Sequence, residues 1–457
     1  MNIIDVAKIN SYLELKGDEK RVNEILTKSL ELKGLGTEEI AVLLNLEDEN
    51  LLNKLFRTAK KVKEGIYGKR IVLFAPLYLS NYCCNNCLYC GFRRDNKEIK
   101  RRKLTFDEAV HEAEQIINMG HKRILLVAGE DTNQCNLDYI KEIIDKIYEK
   151  KIMNGEVRRI NVNMAPLKTE EFKRLASFGI GTFQSFQETY HPDVYKKMHL
   201  SGPKANYQWR LETMDRAIEG GIQDFGMGAL FGLCDYRFEV LALIEHSKYL
   251  LNKYGVGPHT LSVPRIEPAS GSDLSKNPPH AINDKQFKKI VAILRLAVPY
   301  TGMILTTRES AQVRREVIEL GISQISAGSK TNPGGYSDEN STEQFTMGDT
   351  RSLDEIVEEL AQHGFIPSFC TSCYRLGRVG KDFMDLAQVG LIQRFCDPNA
   401  VATFAEYLND YASEETKKAG FEAIENHIKN NIKDEKIRAK VIETLDKIQN
   451  GARDLYV

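Results

Sequence analysis

The sequence predicts an α/β protein built on a (β/α)8 barrel. Eight short apolar runs rich in β-branched residues alternate with amphipathic helical segments, and they cover 71–80, 123–130, 158–164, 180–186, 225–233, 261–266, 303–308 and 322–329. Alternating strands and helices indicate parallel strands joined by crossover helices, and eight such units indicate a closed barrel. A doubly wound open sheet is the alternative fold, but no GxGxxG segment follows the first run.

Local signals support the helices and suggest three parts of the chain. In the segment LTFDEAVHEAEQIINMG, Thr105 and Glu108 form a predicted capping box and Gly120 ends the helix. We predict an N-terminal helical segment over residues 1–66, the barrel over 67–344, and a mainly helical C-terminal domain over 345–457. A polar loop, SKTNPGGYSDENSTEQ, marks the change of pattern after the eighth run.

Composition narrows the class of protein. The 457 residues carry a formal net charge of −1, with 42% hydrophobic and 28% charged residues, so no overall charge favours nucleic acid or an anionic membrane as a partner. The first residues lack a signal-peptide pattern, and no apolar run reaches about 18 residues. We therefore expect a cytoplasmic protein. Thiols in that compartment stay reduced, so clustered cysteines indicate a metal site rather than a disulfide.

Polar residues follow most of the predicted strands. Because the carboxyl ends of barrel strands carry the chemistry of this fold, these residues are expected to face one mouth of the barrel. They are Cys83 to Cys90 after the first run, Gly129 and Glu130 at the end of the second, Asn161 and Asn163 in the third, and Gln187 and Glu188 after the fourth. Arg265 lies at the end of the sixth run, Arg308 at the end of the seventh, and Ser329 with Lys330 at the end of the eighth.

The segment NYCCNNCLYCGF contains a C-x3-C-x2-C spacing formed by Cys83, Cys87 and Cys90, and Tyr89 precedes the third cysteine. Three thiolates can hold three irons of a 4Fe–4S cube and leave the fourth iron open. Cys84 is adjacent to Cys83, so it is badly placed for the fourth corner. A structural zinc loop is the alternative, although it needs a fourth nearby ligand.

A second group, formed by Cys370, Cys373 and Cys396, has the spacing C-x2-C-x22-C. It again supplies three thiolates and leaves one corner of a cube open. A zinc ribbon that lacks one ligand is the alternative. Cys135 and Cys234 are single, and ordinary packing accounts for them.

The first spacing, placed after the first strand and beside an aromatic residue, resembles the signature of radical S-adenosylmethionine (SAM) enzymes. With the second cysteine group, the chain resembles the radical SAM tyrosine lyases, and in particular the HydG type that matures FeFe-hydrogenase. The stretches that carry this resemblance include RIVLFAPLYLSNYC, MGHKR, NVN, QETYH, GVGPHT, VPYTGMIL, TRES, LGISQISAGS and ARDLYV.

Other stretches are similar to ThiH, the 2-iminoacetate synthase of thiamine synthesis. They are WRLETMDRA, LLVAGE and SKTNPGGYSDEN. Val127 stands where HydG sequences tend to have an acidic residue, and NMAPLKTEEF replaces a run that reads differently in HydG. Cleavage of tyrosine is common to both types, whereas the fate of the dehydroglycine product differs between them.

The resemblance implies that the protein binds two 4Fe–4S clusters and SAM. It also implies an extra labile iron at the second cluster. It implies cleavage of the Cα–Cβ bond of L-tyrosine to p-cresol and dehydroglycine, followed by formation of CO and cyanide on iron. The implied partners are an electron donor such as ferredoxin or flavodoxin and other hydrogenase maturation proteins.

Particular residues are candidates for binding SAM. The Glu130 carboxylate is placed to accept from the SAM ammonium group in a charge-assisted hydrogen bond, with an ordinary surface acid as the alternative. Glu188 and Arg210 are candidates for clamping the ribose hydroxyls and the carboxylate, unless they form a structural salt bridge. Asn163 is a candidate for the nucleoside, and Tyr89 belongs to the cofactor loop.

Arg308 is the candidate for the substrate carboxylate, because a planar guanidinium binds and orients a carboxylate through two bonds. Arg265 and Ser329 are predicted to assist it. An ordinary arginine at a helix start is the alternative for Arg308. The resemblance assigns His259, in GVGPHT, as a ligand of the labile iron, and a packed histidine is the alternative reading of that residue.

Three functions remain open at this stage. The first is a HydG-type tyrosine lyase. The second is a related enzyme that releases dehydroglycine for thiazole synthesis or cleaves another amino acid. The third is a non-catalytic iron–sulfur scaffold or iron carrier. The polar residues Glu130, Glu188 and Arg308 argue against a scaffold, because a scaffold needs no substrate clamp.

Overall fold

The computed structural model of the protein describes residues 3–338, 343–388 and 390–457. Within these ranges, eight parallel strands form a closed barrel, which confirms the predicted fold class. The barrel closes because the first strand pairs with both the second and the eighth. The strands are β1 Arg70–Ser80, β2 Arg123–Ala128, β3 Arg159–Asn163, β4 Thr182–Gln184, β5 Asp224–Gly228, β6 Thr260–Ser262, β7 Gly302–Leu305 and β8 Gln324–Ser326.

Most observed strands are shorter than the predicted apolar runs. The fifth run continues to residue 233, but β5 ends at Gly228, and β6 ends at Ser262 instead of 266. Beyond these ends the two segments continue at the barrel mouth, where an isolated parallel bridge between Phe231 and Arg265 still joins them. The apolar residues there, such as Phe231 and Leu233, are still buried. The apolar run in the sequence is therefore longer than the strand, because buried loop residues are apolar too.

The side chains of β1 alternate strictly between the two faces of the barrel wall, as the two-residue period of a strand requires. The odd-numbered residues join the main hydrophobic core outside the wall: Ile71, Leu73, Ala75, Leu77 and Leu79. The even-numbered residues from 70 to 78 line the barrel interior: Arg70, Val72, Phe74, Pro76 and Tyr78.

Helices cover the outside of the barrel and bury their apolar faces against the outward-facing side chains of the strands. The predicted capping box is present, because the Thr105 hydroxyl accepts from the amide of Glu108 and the Glu108 carboxylate accepts from the amide of Thr105. These helices are Phe106–Asn118, Leu137–Glu149, Thr169–Ala176, Pro192–Met198, Tyr207–Leu211, Thr213–Glu219, Tyr236–Tyr254, Asp273–Lys276, Asp284–Ala297 and Ala311–Leu320, with the 3-10 turn Pro203–Ala205. A short hairpin pairs Lys151–Ile152 with Gly155–Glu156.

The N-terminal part is helical, as expected, and packs against the barrel helices. Its described helices are Val6–Leu13, Glu19–Ser29, Thr37–Leu44 and Glu49–Tyr67. The last of these packs against Asp284–Ala297. The boundaries at 66/67 and 344/345 stay predictions. Residues 339–342 of the predicted polar loop lie outside the described residues.

The C-terminal part is mainly helical and also adds one strand to the barrel sheet. A ninth strand, β9 Ile366–Ser368, pairs in parallel with the first residues of β1. The helix Ile392–Asp410 packs against β9, and the helices Glu414–Asn430 and Glu435–Gln449 pack against that helix. The helices are Leu353–Gln362, Ser372–Arg375, Gly380–Gln388, Ile392–Asp410, Glu414–Asn430 and Glu435–Gln449. Among the described residues, no helix is long and apolar enough to cross a membrane.

Arg295 is a structural residue whose loss should be costly. It is fully buried, and its guanidinium donates to the backbone carbonyls of Pro299, Thr301 and Gly321 at 2.6–3.1 Å. We expect Arg295→Met to lower the free energy of unfolding by at least roughly 3 kcal/mol, because three buried carbonyls lose a charged donor. Urea unfolding followed by circular dichroism measures this. The exposed Arg57→Met is the matched control, and an equal effect of both changes would contradict the assignment.

Candidate functional site

The first cysteine loop lies at the carboxyl end of β1 and opens into a cavity of roughly 200 Å³. Cys83, Cys87 and Cys90 all line this cavity. The loop is fixed from several sides, since the amide of Cys84 donates to the Glu130 carbonyl at 3.2 Å and the amide of Leu88 donates to the Met198 carbonyl at 3.0 Å. The three thiols are therefore held as a group at the predicted mouth.

Two of these thiols, Cys83 and Cys87, are poorly suited to be charged by the protein alone. Burial raises the pKa of Cys83 to about 12, and burial also raises the pKa of Cys87. A bound metal must therefore supply the positive charge that stabilises their thiolates. In the described part of the chain, no three His, Cys, Asp or Glu side chains converge on a single-ion site. A 4Fe–4S cube does not require such convergence, because each cysteine binds a different iron. Three sulfur donors beside an open cavity fit such a cluster.

A buried network of two acids and two cations lies next to the cysteine loop. Arg210 Nη1 donates to Glu130 Oε1 at 2.6 Å, and Lys204 Nζ donates to Glu188 Oε1 at 2.7 Å. Lys204 also lies 3.6 Å from Glu130. Burial opposes ionisation of Glu130, but Arg210 and Lys204 hold its pKa below the ordinary value. Two acids thus face two cations, so the formal charges of the network balance, and all four side chains line the cavity.

Two members of this region were missed by the sequence analysis. Lys204 connects both acids, and the Asn85 amide donates to Glu130 Oε2 at 2.9 Å. Asn85 stands between two of the motif cysteines, so its position was an available signal. Lys204 lies in the turn GPK far along the chain, and no local pattern marks it as a cavity residue.

The remaining candidates for the first cavity divide into two sets. Asn163, Tyr89 and Arg308 line it, and the Tyr89 hydroxyl is hydrogen-bonded to His199 Nε2 at 2.8 Å. Arg265 and Ser329 are not among the described residues that line it. The Arg265 guanidinium instead pairs with Glu309 and Asp284, so its charge is already compensated by protein groups. The assignment of these side chains to SAM or substrate stays a prediction.

Arg308 is half-buried and stacks on an aromatic ring, with its guanidinium carbon 3.3 Å from the centre of the Phe345 ring. Burial lowers its pKa, while Tyr78 and Glu188 act against that shift. Within the described ranges, no carboxylate is hydrogen-bonded to this guanidinium. Stacking thus fixes the plane of a guanidinium that lines the cavity, and such a group is suited to bind an anionic ligand.

The second cysteine group lies at the opposite end of the barrel. Cys370, Cys373, Cys396 and His259 border a smaller cavity of about 50 Å³. Cys370 follows β9, whereas Cys396 projects from the helix Ile392–Asp410. A hydrogen bond from Cys396 is the largest cause that lowers the pKa of Cys373, and nearby arginines add to it. The same hydrogen bond raises the pKa of Cys396, so the pair favours a thiolate at Cys373 and a thiol at Cys396 before any metal is bound.

Four buried or half-buried arginines surround these thiols: Arg70, Arg123, Arg159 and Arg378. The Nε atoms of Arg70, Arg123 and Arg378 are buried and have no hydrogen-bond partner among the described residues. Buried cations need compensating anions, and cysteine thiolates on a negatively charged cluster supply them. The donor set and its surroundings therefore fit an iron–sulfur cluster. Arg70, Arg123 and Arg159 each begin one of the first three strands, a repeated signal that the sequence analysis missed.

An acid lies behind His259 without a hydrogen bond to its ring. Its Nδ1 lies 3.5 Å from Asp224 Oδ1, and Asp224 is itself bonded to Arg159 and to the amide of Gly380. Burial lowers the pKa of His259 to about 4, so the imidazole is neutral at neutral pH. A neutral imidazole backed by a carboxylate is a common arrangement for a metal ligand.

Each strand that lines both cavities lines the second cavity with its first residues and the first cavity with its later residues. Arg70, Arg123, Arg159, Gly302 and Gln324, at or near strand starts, line the second cavity, while later residues of the same strands line the first. The two cysteine groups therefore face opposite ends of one barrel interior. A triad of cysteines after the first strand of a closed parallel barrel, beside a cavity with buried charged residues, defines the class of radical SAM enzymes.

Comparison with known proteins agrees with this class. The model of the radical SAM superfamily matches residues 77–244, and that of the biotin and thiamin synthesis associated domain matches 262–366. The 2-iminoacetate synthase of Salmonella typhimurium is 32% identical over 342 residues, which cover 74% of this chain and 88% of the relative. That of Escherichia coli is 32% identical over 78% of this chain and 92% of the relative.

Two solved structures of HydG, a maturase of FeFe-hydrogenase, match nearly the whole chain. One has a TM-score of 0.97 and 50% identity with full coverage of both chains. The other, from Carboxydothermus hydrogenoformans, has a TM-score of 0.82 and 47% identity, and covers 93% of this chain and 94% of its own. The chain belongs to the radical SAM family of HydG and 2-iminoacetate synthase. It is a radical SAM carbon–carbon lyase, and this family implies a 4Fe–4S cluster and SAM.

Gly129 offers a test of the first site, because it lies where β2 passes the cysteine loop. A Cβ atom at this position would lie 2.2 Å from the Tyr82 carbonyl oxygen. Relief of this clash requires the backbone of the cysteine loop to move. We expect Gly129→Ala to displace Tyr82 and Cys83 and to reduce 5′-deoxyadenosine formation from SAM at least tenfold. The exposed helical Gly65→Ala, which meets only the side chain of Leu32, is the control. A wild-type rate for Gly129→Ala would show that the loop tolerates the shift.

Proposed function

We propose that the protein is a tyrosine lyase of HydG type that works in two places. Tyrosine is cleaved at the first cavity to p-cresol and dehydroglycine, and dehydroglycine is converted at the second cysteine site to CO and cyanide for hydrogenase maturation. The observation that carries this proposal is the placement of two cysteine triads at opposite ends of one barrel interior. A single radical reaction would need only the first triad.

The first cavity has the features that tyrosine requires. When bound, the first cluster and SAM supply abstraction of a hydrogen atom from the substrate, with electrons from a donor such as ferredoxin or flavodoxin. Glu130, Arg210, Lys204 and Glu188 bind and orient the charged groups of SAM. Arg308 binds the tyrosine carboxylate and thereby fixes which hydrogen is nearest, since a radical attacks whatever lies closest.

The rest of the cavity wall suits an aromatic side chain. Phe74, Phe186 and Phe345 line it, with Leu125 and Ile304 at its floor. The Tyr78 hydroxyl donates to Gln344 Oε1 at 2.8 Å in the same wall, so a polar pair is available near the apolar surface. Apolar walls with a few placed polar groups are typical of sites for small molecules.

In this proposal dehydroglycine passes along the inward side chains of β1, which lie between the two cavities. Phe74, Leu125 and Ile304 form a small apolar cluster at the floor of the first cavity, and Val72, the next inward residue of β1, lines the second. Dehydroglycine contains the atoms of CO, HCN and water, so its fragmentation needs no additional oxidant. His259 and the arginines then provide a neutral ligand and a positive environment at the second site.

The role of Arg308 can be tested by its removal. We expect Arg308→Ala to raise the apparent KM for tyrosine roughly tenfold to hundredfold, because a charge-assisted bidentate contact is lost. SAM cleavage that is not coupled to p-cresol should rise as the substrate loses its fixed orientation. Steady-state assays of both products measure this. Arg315→Ala, on the following helix and paired with Glu359, is the control. Unchanged affinity and coupling in Arg308→Ala would count against the assignment.

The second cysteine site can be separated from the first. We expect Cys370→Ser with Cys373→Ser to leave p-cresol formation within about twofold of wild type and to abolish CO, because the first cavity is untouched. His259→Ala should lower CO less severely. Cys135→Ser, at a buried cysteine outside both groups, controls for the loss of a thiol. Parallel loss of p-cresol and CO in the double variant would oppose a division of the chemistry between two sites.

A second candidate is release of dehydroglycine for thiazole synthesis. The matches to 2-iminoacetate synthase and to the biotin and thiamin synthesis associated domain favour it. It predicts that fully iron-loaded protein forms p-cresol and glyoxylate from tyrosine but neither CO nor cyanide. Product analysis of the wild-type protein decides between the two candidates.

A further inference from the structure

Residues 452–457, which we call the clasp, lie beside the second cysteine group and contact several separate segments. The clasp is anchored at its start, where the Arg453 guanidinium donates to the Asp410 carboxylate and to the carbonyl of Ile448. Leu455 and Val457 pack against the main hydrophobic core. The clasp is therefore an ordered part of the fold with both polar and apolar contacts.

Asp454 joins Arg158, just before β3, to the segment that carries Cys370 and Cys373. Its carboxylate accepts from Arg375 Nη1 at 2.6 and 2.8 Å and lies 3.0 Å from Arg158 Nη1. Arg375 is two residues after Cys373, whereas Arg158 immediately precedes β3. The amide of Asp454 also donates to the buried Glu406 at 2.7 Å. One residue of the clasp thus connects a cysteine segment to the barrel wall.

Asn399 joins the clasp to both parts of the cysteine group. Its Oδ1 accepts from the amide of Val457 at 3.1 Å and from the Ser372 hydroxyl at 3.4 Å. Ser372 is in turn within 3.1 Å of Cys370 Sγ. Asn399 lies on the same helix as Cys396 and is buried. Three hydrogen bonds therefore connect the last clasp residue to Cys370 through Asn399 and Ser372. Asn399 itself lies about one helical turn from Cys396.

We propose that the clasp is a positioning element that fixes the Cys370–Cys373 segment against the Cys396 helix. The two cysteine segments are separated by 22 residues and are brought together by long-range contacts. The clasp bridges them from outside the cavity, through Asp454 on one side and Asn399 on the other. None of its residues lines the second cavity among the described ones, so it acts through other residues and is not catalytic. What the site does with dehydroglycine rests on the proposed function.

Asp454 allows a variant that tests the charge contacts without backbone strain. Its φ is +60°, a left-handed conformation that asparagine tolerates and most other side chains do not. Asp454→Asn therefore removes the charge that pairs with Arg375 and Arg158 and keeps the backbone. A chain that stops after Gly451 removes the whole clasp. Asp138→Asn, which removes an exposed pair with Arg174 between two outer helices, is the matched control.

The main measurement is release of iron from the second site. Each variant is made in the full chain with Cys83, Cys87 and Cys90 replaced by alanine, so that only second-site iron is present, and a ferrous chelator is added to the reconstituted protein. We expect release at least tenfold faster in the truncated protein and at least threefold faster in Asp454→Asn. The Asp138→Asn control should release iron at the parent rate.

Activity provides a second readout that a general loss of stability would not reproduce. With the first cysteines intact, both clasp variants should form p-cresol within about twofold of wild type but less CO per p-cresol. Equal iron release and an unchanged ratio of CO to p-cresol in both variants would overturn the proposal. If the truncated chain fails to fold by circular dichroism, Asp454→Asn alone decides.

The outcomes distinguish this inference from the proposed function. A wild-type protein that forms no CO contradicts the proposed function, while iron release still judges the clasp. If the wild-type second site retains no iron, hydrogen exchange of the amides of residues 370–376 in the full chain is the measurement. Exchange at least tenfold faster without the clasp supports the positioning role, and unchanged exchange contradicts it.

Discussion

The strand β1 sets the geometry on which both sites depend. Its eleven residues span roughly 33 Å at the rise of a parallel strand, so it runs the full depth of the barrel. It pairs with β2 and β8 to close the wall and with β9 to hold the C-terminal part. Arg70 at its start borders the second cysteine site, and the first cysteine loop leaves its last residue, Ser80. The separation and orientation of the two sites therefore follow from one element.

The two cysteine sites differ in how the protein treats negative charge. Around the first, burial keeps the thiols of Cys83 and Cys87 neutral in the absence of metal, and the nearby Glu130 and Glu188 are compensated by Arg210 and Lys204. Around the second, arginines from three strand starts leave an excess of positive charge beside the thiols. A cluster at the first site must therefore stabilise its own thiolates, whereas the second site is prepared for an anionic group. This difference is consistent with two sites that perform different steps.

The comparisons and the geometry point to the same division of the chain. The 2-iminoacetate synthases match about three quarters of it, while the HydG structures extend over the C-terminal part with the second cysteine group. That part is bound to the barrel through β9 and through the clasp. The second site is consequently built from barrel residues, such as Arg159 and His259, as much as from the added helices.

The sequence alone determined the barrel, the two cysteine groups and several cavity residues, because these depend on local patterns: the two-residue period of strands, the spacing of ligands and the polar residues at strand ends. It led to Arg308, Glu130, Glu188 and Arg210 at the first cavity, but it also suggested Arg265, which ion pairs occupy, and Ser329, which does not line that cavity. Only the tertiary structure placed Lys204 between two acids, gathered the strand-start arginines around Cys373, and brought Asp454 to Arg375. These contacts join residues far apart in the chain, and they depend on barrel closure and strand register, which no local pattern encodes.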